Sequence, residues 1–306
     1  MEERKPILEL QQLKYFQTVA RLEHMTQAAK ELFVAQPSLS RAIARLEEEI
    51  GVPLFDRQGR NIYLTSLGRV FLQHIERALA EIEQGQYAVA DLAGIEKGLV
   101  RLSVLYTVGA QLIPELLRAF RQEHPSIQFH LFQNPAQVML SQLEQGEIDF
   151  CISSPSPEQP DMEWIPLLTE EIFLVVPSDH RLAAQGSIDL PTVKEEDFIN
   201  LKPNSGLREM TDRFCLQAGF KPKSTFEVDD LTIVRGLVAA GLGVAFIPAL
   251  ALRSITGVNV VPLHVTNMHC QRTIGLTQIK KRYLTGAARV FRTFVIVYFA
   301  RLEQGA

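Results

Sequence analysis

One stretch of the chain, residues 26–69, constrains the fold more than any other part of the sequence. It begins with T-Q-A-A-K-E-L-F-V-A-Q-P-S-L-S-R-A-I-A-R-L-E and ends with L-F-D-R-Q-G-R-N-I-Y-L-T-S-L-G-R. This pattern predicts a helix, a tight turn, a second helix and a basic hairpin. That order of elements is typical of a winged helix-turn-helix, in which the second helix enters the major groove of DNA.

The second helix of this stretch has one apolar face and one polar face. Leu39, Ile43, Leu46 and Ile50 follow one another at spacings of four, three and four residues, which predicts one buried stripe. Gly51 then suits the left-handed position at the end of a helix. Side chains that can reach base edges or phosphates lie on the opposite face; they are Gln36, Ser38, Ser40, Arg41, Ala44 and Arg45, with Pro37 in the first turn.

The flanking elements supply further candidates for DNA contact. Thr26 is predicted to cap the first helix, which is expected to bury Ala28, Ala29, Leu32 and Phe33. Arg57 and Arg60 flank the tip of the hairpin, where they can straddle a sugar-phosphate backbone or enter the minor groove. Three alternatives stay open: Thr26 acts as a cap or as a phosphate ligand, Ser40 bonds within its own helix, and Arg45 is solvated or paired with an acid.

The charge and cysteine content set only broad limits. The net charge of −4 does not by itself indicate a nucleic-acid partner, but residues 32–46 and 57–75 contain bases and no acid. That distribution fits phosphate contacts, and a solvated charge pattern explains it equally well. Three scattered cysteines, no secretion signal and no apolar run of about 20 residues predict a cytoplasmic protein without a membrane partner.

A long helix is predicted to follow the hairpin from Ser66. An apolar stripe at alternating spacings of four and three residues forms a heptad seam, made of Phe71, Ile75, Ala78, Ile82, Gly85, Val89 and Leu92. Such a stripe needs a covering surface, so we expect a partner helix; the alternative is packing against its own domain. Residues 93–98 contain two glycines and are expected to form a hinge.

The remainder of the chain has the pattern of an α/β protein with a parallel sheet. Strands are predicted at residues 99–105, 127–132 and 148–153, with helices at 110–122 and 136–145. The pattern restarts with strands at 172–176, 198–201, 225–228 and 244–247, helices at 207–218 and 230–240, return strands at 258–265 and 272–277, and a closing helix at 285–302. Two lobes joined by crossings near residues 165–169 and 266–270 would enclose a cleft.

Ligands of open α/β sheets bind beyond the carboxyl ends of the strands, beside helix N-termini. Short polar segments occupy those positions here, and they give six candidate effector contacts: Tyr106, Thr107, Asn134, Ser153, Asn204 and Ser205. Hydroxyls and amides of this kind suit a carboxylate or another small anion. Helix capping alone is an equally good explanation for Asn134 and Ser205.

The sequence resembles the LysR-type transcriptional regulators. The resemblance rests on A-Q-P-S-L-S-R-A-I-A-R-L-E-E-E-I-G-V-P-L-F-D-R and L-T-S-L-G near the start, and more loosely on L-I-P-E-L-L-R-A-F-R-Q-E-H-P, L-E-Q-G-E-I-D-F-C-I and G-L-V-A-A-G-L-G-V-A-F-I-P. It implies DNA contacts by Gln36, Pro37, Ser38, Ser40, Arg41, Arg57 and Arg60. It also implies that linker helices pair antiparallel into dimers, that dimers form a tetramer on an inverted-repeat operator, and that RNA polymerase is contacted. Thr107 matches the family's hydroxyl after the first strand of an effector-binding domain.

The expected architecture is therefore α/β with an N-terminal winged helix-turn-helix, a long linker helix and a two-lobe effector domain similar to periplasmic solute-binding proteins. The domains are placed at residues 1–65, 66–94 and 95–306. Within the last, lobe one comprises 95–165 plus 270–306 and lobe two comprises 166–269.

Other functions are weakly supported by the sequence. No G-x-S-x-G, P-loop or H-E-x-x-H motif occurs, so we expect no enzyme, no catalytic residue and no cofactor. His264, His269 and Cys270 do not have the spacing of a standard zinc set. Cys215 aligns with the second cysteine of the family's peroxide sensors, but Gly206 stands where the first would be, which favours a buried thiol. A metabolic sensor or solute carrier that does not bind DNA remains the alternative class.

Overall fold

The structure is a computed structural model that describes residues 8–58, 61–92, 98–109, 112–203, 205–252 and 259–304. The chain divides into two compact units, Met1–Tyr87 and Ala88–Ala306. None of the helices in the described ranges has the length and apolar character needed to span a bilayer.

The first unit contains the elements predicted from its sequence. Its helices are α1 (Leu10–Leu22), α2 (Met25–Glu31) and α3 (Gln36–Ile50), followed by the antiparallel strands β1 (Phe55–Gln58) and β2 (Asn61–Leu64) and the long helix α4 (Ser66–Leu92). Their apolar faces meet in one core, whose fully buried members include Phe16, Val19, Ala28, Leu39, Ile43, Leu46 and Leu54.

Two side chains fix the hairpin against the helices. The Glu47 carboxylate accepts hydrogen bonds from the backbone N–H groups of Leu54 (2.8 Å) and Phe55 (2.9 Å). At the start of α4, the Thr65 hydroxyl accepts from the N–H of Gly68 at 2.9 Å. A Cβ atom on Gly68 would lie 2.0 Å from the Leu54 carbonyl oxygen, so only glycine allows this close approach of α4 to the hairpin.

Two predictions about the first unit are wrong. Thr26 does not cap α2, because the helix begins at Met25 and the His24 ring Nδ1 accepts from the Gln27 N–H at 3.3 Å. Phe33 is not buried: it lies in the turn between α2 and α3 with φ of 54° and is 95% exposed. The α2 face therefore contributes Ala28 and Ala29 to the core, while the turn directs Phe33 outward.

The predicted apolar stripe of α4 has a buried part and an exposed part. Ile75 is buried in the core of the first unit, and Phe71 and Leu79 pack against that core. Further along, Ile82 is 44% exposed and Val89 is 68% exposed. The first part of the stripe is thus covered by its own unit, as the alternative proposed, and the second part is left open.

The second unit is built on an eight-stranded sheet and a smaller two-stranded sheet. Its first half comprises β3 (Leu99–Val104), α5 (Tyr106–Gly109), α6 (Leu112–Glu123), β4 (Gln128–Gln133), α7 (Ala136–Gln145), β5 (Phe150–Ser153), β6 (Met162–Pro177) and β7 (Ser187–Ile188). Its second half comprises β8 (Asp197–Leu201), α8 (Gly206–Gln217), β9 (Lys223–Val228), α9 (Leu231–Ala239), β10 (Ala245–Pro248), α10 (Ala249–Leu252), β11 (Val260–Val265), β12 (Gln271–Ile279) and α11 (Gly286–Gln304).

Two large hydrophobic cores lie within this unit, together with a smaller cluster around Met139 and Leu143. The strand order of the large sheet is β4-β3-β5-β12-β6-β11-β7, with β10 also paired to β6, and the predicted parallel pairing of β3 with β4 and β5 is confirmed. One core packs α6 and α11 around Phe120, Phe150 and Phe291. The other packs α8 and α9 around Phe198 and Phe246.

Two features of the second unit differ from the predicted pattern, and a third agrees with it. β6 is one strand of 16 residues that begins at Met162, so the strand predicted at 172–176 is only its second half. The polar loop expected after β3 is the short helix α5. The predicted closing helix is confirmed: α11 includes residues 294–299, although β-branched and aromatic side chains of the kind that favour strands are concentrated there.

Candidate DNA-binding surface and effector cavity

The N-terminal turn of α3 is an exposed polar surface. Gln36, Pro37, Ser38 and Arg41 are exposed, and Ser40 is half-buried. The helix has no side-chain cap, but Pro37 lacks an N–H and the Ser38 N–H already donates to the Ala35 carbonyl oxygen at 2.9 Å. The surface that a ligand meets at this end of α3 is therefore formed mainly by the exposed side chains, together with the positive end of the helix dipole.

The two arginines of α3 are in different situations. Arg41 makes only a long contact, 3.4 Å from its Nη2 to the Ser38 hydroxyl, and both groups remain exposed. Arg45 is paired with acids: its Nε donates to Glu49 at 3.0 Å, and its Nη2 lies 3.8 Å from Glu9. The acid-paired alternative for Arg45 is therefore confirmed, and Arg41 is the arginine that stays available to a ligand.

Other predicted DNA contacts are placed as follows. Thr26 is exposed in the first turn of α2. Arg57 lies on β1, opposite Ile62 in the hairpin. Its side chain and the whole of Arg60 lie outside the described residues.

Phe33 is a surface residue that the sequence did not indicate. Only Val34 and Ala35 separate Phe33 from α3, and its side chain is almost fully exposed to solvent. A non-glycine residue with positive φ is uncommon and carries a conformational cost. This is the left-handed position that ends α2, where the Val34 N–H donates to the Ala29 carbonyl oxygen at 3.0 Å, and it leaves an aromatic ring exposed in the turn before α3.

A cavity of about 440 Å³ lies in the second unit, in the size range of small-molecule sites. Segments from both hydrophobic cores form its wall, namely the β3–α5 connection, the start of α7, the start of α8 and the β9–α9 connection. The lining residues are Leu105, Tyr106, Thr107, Pro135, Ala136, Ser154, Leu201, Lys202, Ser205, Gly206, Leu207, Val228, Asp229, Asp230 and Arg272.

Arg272 is the most buried of the charged residues that line this cavity and is only 4% exposed, so its side chain is taken as the base of the cavity. Its Nε donates to Glu170 Oε1 at 2.7 Å and its Nη1 donates to the Thr107 hydroxyl at 2.9 Å. Its Nη2 lies 2.7 Å from the same Glu170 oxygen without hydrogen-bonding geometry, so this nitrogen has no acceptor of its own among the described residues.

The surroundings of Arg272 hold it in place and keep it charged. The other Glu170 oxygen accepts from the Leu250 N–H at 2.7 Å, which fixes the carboxylate. Burial lowers the pKa of the Arg272 guanidinium, and the charge of Glu170 and its hydrogen bond oppose that shift. Because arginine does not lose its proton in proteins, the cavity has a fixed cation at its base. The Thr107 hydroxyl accepts from this cation and can donate its own proton to a ligand.

Two helices point uncapped N-termini into the cavity. Neither Pro135 at the start of α7 nor Ser205 at the start of α8 makes a side-chain cap, and Ala136 and Gly206 line the cavity beside them. The Ser154 hydroxyl is also buried there without a hydrogen-bond partner among the described residues. The wall therefore has more free donors than free acceptors.

The acids of the wall are already paired. Asp229 accepts from the Lys202 ammonium at 2.6 Å, and Asp230 caps α9 by accepting from the Thr232 N–H at 2.6 Å. These pairings leave the free donors of α7, α8 and Ser154 as the dominant polar character of the cavity.

Three of the six candidate effector contacts, Tyr106, Thr107 and Ser205, line the cavity. Two others do not: Asn134 donates to the Gln142 side chain at 3.0 Å, and Ser153 is buried 3.3 Å from the Thr277 hydroxyl. Asn204 lies outside the described residues. Capping does not explain Asn134 or Ser205, since neither side chain caps its helix.

The thiols are unsuited to redox or metal chemistry. Cys151, Cys215 and Cys270 are buried, and burial raises the pKa of each thiol to about 12. Cys215 lies on α8, as the buried-thiol interpretation predicted. Within the described ranges, no group of three or more His, Cys, Asp or Glu side chains is arranged to hold a metal ion.

A helix-turn-helix with an exposed recognition helix, joined to an α/β unit with a donor-lined cavity, defines a ligand-responsive DNA-binding regulator. Comparison with known proteins agrees. A family model described as "Bacterial regulatory helix-turn-helix protein, lysR family" matches residues 10–69, and one described as "LysR substrate binding domain" matches residues 93–299. The chain belongs to the LysR family of transcriptional regulators.

Individual relatives match between two thirds of the chain and nearly all of it. The HTH-type transcriptional regulator YybE of Bacillus subtilis (strain 168) is 42% identical over 96% of this chain and all of its own length. The crystal structure of full-length CbnR with its target DNA matches with a TM-score of 0.72 at 25% identity, covering 94% of this chain and 99% of that one. The effector-binding domain of QuiR in complex with shikimate matches with a TM-score of 0.62 at 29% identity, covering 67% and 98%.

Proposed function

We propose that the chain binds a small organic anion in the 440 Å³ cavity and that this binding changes how the N-terminal unit acts on DNA. The observation that carries the proposal is the convergence of two uncapped helix N-termini on a cavity whose base is the buried Arg272. Helix N-termini favour negative charge, and a carboxylate supplies the acceptors that the free N–H groups lack.

The anion's carboxylate would lie between α7 and α8, where it receives hydrogen bonds from backbone N–H groups and from Ser154. The Thr107 hydroxyl, oriented by Arg272, would donate to a second polar group of the same ligand. Tyr106 and Leu207 offer apolar surface for its carbon skeleton. The complex of the QuiR effector-binding domain with shikimate, a small organic acid, supports this ligand class.

On DNA, the exposed start of α3 would read base edges with Gln36, Pro37, Ser38, Ser40 and Arg41. Thr26, Arg57 and Arg60 would contact the backbone or the minor groove. The open part of the α4 stripe would pair with a second copy, so that a dimer reads an inverted repeat and two dimers form a tetramer. The CbnR structure with its target DNA supports this mode of recognition.

Ligand binding would be transmitted through the strands that both cores share. β6 and β12 pair along the whole of β12, and the Glu170–Arg272 pair lies within that register. A ligand that contacts Thr107 on one side and Ser205 on the other would favour one relative angle of the two lobes. That angle would set the spacing of DNA-binding units, DNA bending and contact with RNA polymerase, in the cytoplasm.

The test of the ligand class is thermal unfolding of the full chain against a panel of organic acids and their uncharged amides. We expect saturable stabilisation by at least one acid and none by its amide. Arg272→Gln should remove the stabilisation, because the base of the cavity then lacks its cation. Equal stabilisation by acid and amide would refute an anionic ligand.

A further inference from the structure

A second arginine, Arg235 on α9, is buried in this unit without a partner. It is 6% exposed, and its Nε has no acceptor. Among the residues that the structure describes, no hydrogen bond or ion pair satisfies its guanidinium. A buried charge that is neither paired nor hydrogen-bonded is strongly unfavourable, so this side chain, whose Nε has no acceptor among the described residues, is suited to bind an anion.

The neighbouring acids do not meet that need. Asp229 is engaged with Lys202 at 2.6 Å, and Asp230 is engaged with the backbone N–H of Thr232 at 2.6 Å. Both acids line the same small cavity as Arg235 and leave its guanidinium unpaired. Within the described ranges of this unit, the charge of Arg235 therefore stays unpaired.

Arg235 lines a cavity of about 80 Å³, which also touches Tyr106, Thr107, Leu201 and Thr232. Tyr106, Thr107 and Leu201 line the 440 Å³ cavity as well, so the two cavities adjoin. Because one water occupies ~30 Å³ of liquid, the smaller cavity has room for a carboxylate-sized group and too little for a ring or a chain.

We propose that Arg235 binds an anionic oxygen group in this cavity, either the distal carboxylate of the effector or a separate small oxyanion. The inference rests on the proposed function only in that the smaller cavity adjoins the cavity proposed to bind the effector. In either form, the guanidinium gains charged hydrogen bonds, and Thr232 offers a hydroxyl from the same wall. Occupancy would hold α9 and α5 together across Tyr106 and Thr107.

The first experiment tests whether a small oxyanion binds. Thermal unfolding of the full chain is followed while sodium nitrate or sodium acetate replaces the sodium salt of HEPES, a sulfonate too large for the cavity, at constant ionic strength. Arg235→Met and Arg213→Met are compared with wild type; Arg213 is an exposed arginine of the same unit. We expect a saturable rise in melting temperature that Arg235→Met removes and Arg213→Met retains.

The second experiment tests whether the group belongs to the effector. Glutarate and valerate have equal chain length and differ by one carboxylate. If the effector supplies the group, wild type binds glutarate more tightly, and Arg235→Met loses that preference by about tenfold or more, as expected for a charged hydrogen bond. Nitrate then has little effect. If a separate oxyanion is bound, nitrate shows the Arg235-dependent rise and glutarate has no advantage.

Either Arg235-dependent result supports the proposal. Arg235→Met that is less stable than wild type, with unchanged responses to nitrate, acetate and glutarate, would overturn it by showing a purely structural arginine. We expect instead that the variant is more stable than wild type in HEPES alone, since a buried unpaired charge has been removed. Failure of the proposed function gives a different result, namely that no organic acid stabilises the wild-type protein. The experiment with nitrate still tests the role of Arg235 in that case.

Discussion

At the residue scale, the difference between Arg41 and Arg45 decides which arginine of α3 contacts DNA. Arg41→Ala should weaken operator binding by about 1–3 kcal/mol at fixed salt, because a direct base or phosphate contact is lost. Arg45→Ala is the matched control and should cost less, since its guanidinium already pairs with Glu49. Quantitative gel shifts measure both; equal affinities of Arg41→Ala and wild type would refute the assignment.

Phe33 gives a second prediction at this scale. Asparagine tolerates the left-handed conformation better than phenylalanine, so Phe33→Asn should leave the first unit as stable as wild type or more stable, by up to ~1 kcal/mol. If the exposed ring contacts a thymine methyl or a sugar, the same variant should bind the operator more weakly. Denaturant unfolding and gel shifts on one protein preparation give both values. If Phe33→Asn binds the operator with the affinity of wild type, the ring does not contribute to DNA binding.

The sequence was least informative about the burial and the contacts of individual side chains. Apolar spacing predicted burial for Phe33, but the φ of the turn directs the ring to solvent. Ser153 and Ser154 are adjacent at the end of β5, and only the second lines the cavity. Arg272 lies within a segment whose sequence indicated only a strand. Burial of its guanidinium depends on pairing with Glu170, which is 102 residues away in sequence.

At the element scale, periodicity predicted helices and strands well because it reflects which face is buried. The stripe of α3 became the core of the first unit, and Gly51 and Gly146 end their helices at φ values of 82° and 79°. The long strand β6 was missed because Pro166 interrupts its pattern. The pairing with β12 accommodates Pro166 by a register shift between Ile274 and Gly275, which is a bulge that a single sequence does not reveal.

The open part of the α4 stripe leads to a prediction about assembly. Ile82→Glu places a charge on the exposed apolar surface and should shift dimers toward monomers, with weaker operator binding as a consequence. Folding should be little affected, because Ile82 is already exposed. Gln73→Glu adds the same charge on the opposite side of the helix and should leave the dimer intact. Sedimentation velocity distinguishes the two, and equal dissociation by both variants would exclude a specific seam.

At the scale of the whole molecule, the chain joins a DNA-reading unit to a unit with a donor-lined cavity. The net charge of −4 does not reveal the DNA-reading unit, because phosphate contact depends on the local charge of α3 and the hairpin. Ligand binding in the second unit can affect DNA only through a difference in affinity between two conformations of the chain. A variant that binds DNA as wild type does, but whose DNA binding does not respond to the ligand, therefore tests this coupling directly.

The most direct measurement is a footprint of the protein on its own promoter region, with and without an acid that stabilises the full chain. Thr107→Val removes the hydroxyl that Arg272 orients, and Thr107→Ser restores it as a control. We predict that wild type and Thr107→Ser change their protection pattern on adding the acid. Thr107→Val should protect the same DNA without that change. An unaltered ligand response in Thr107→Val, or the absence of any protected DNA with wild type, would contradict the account.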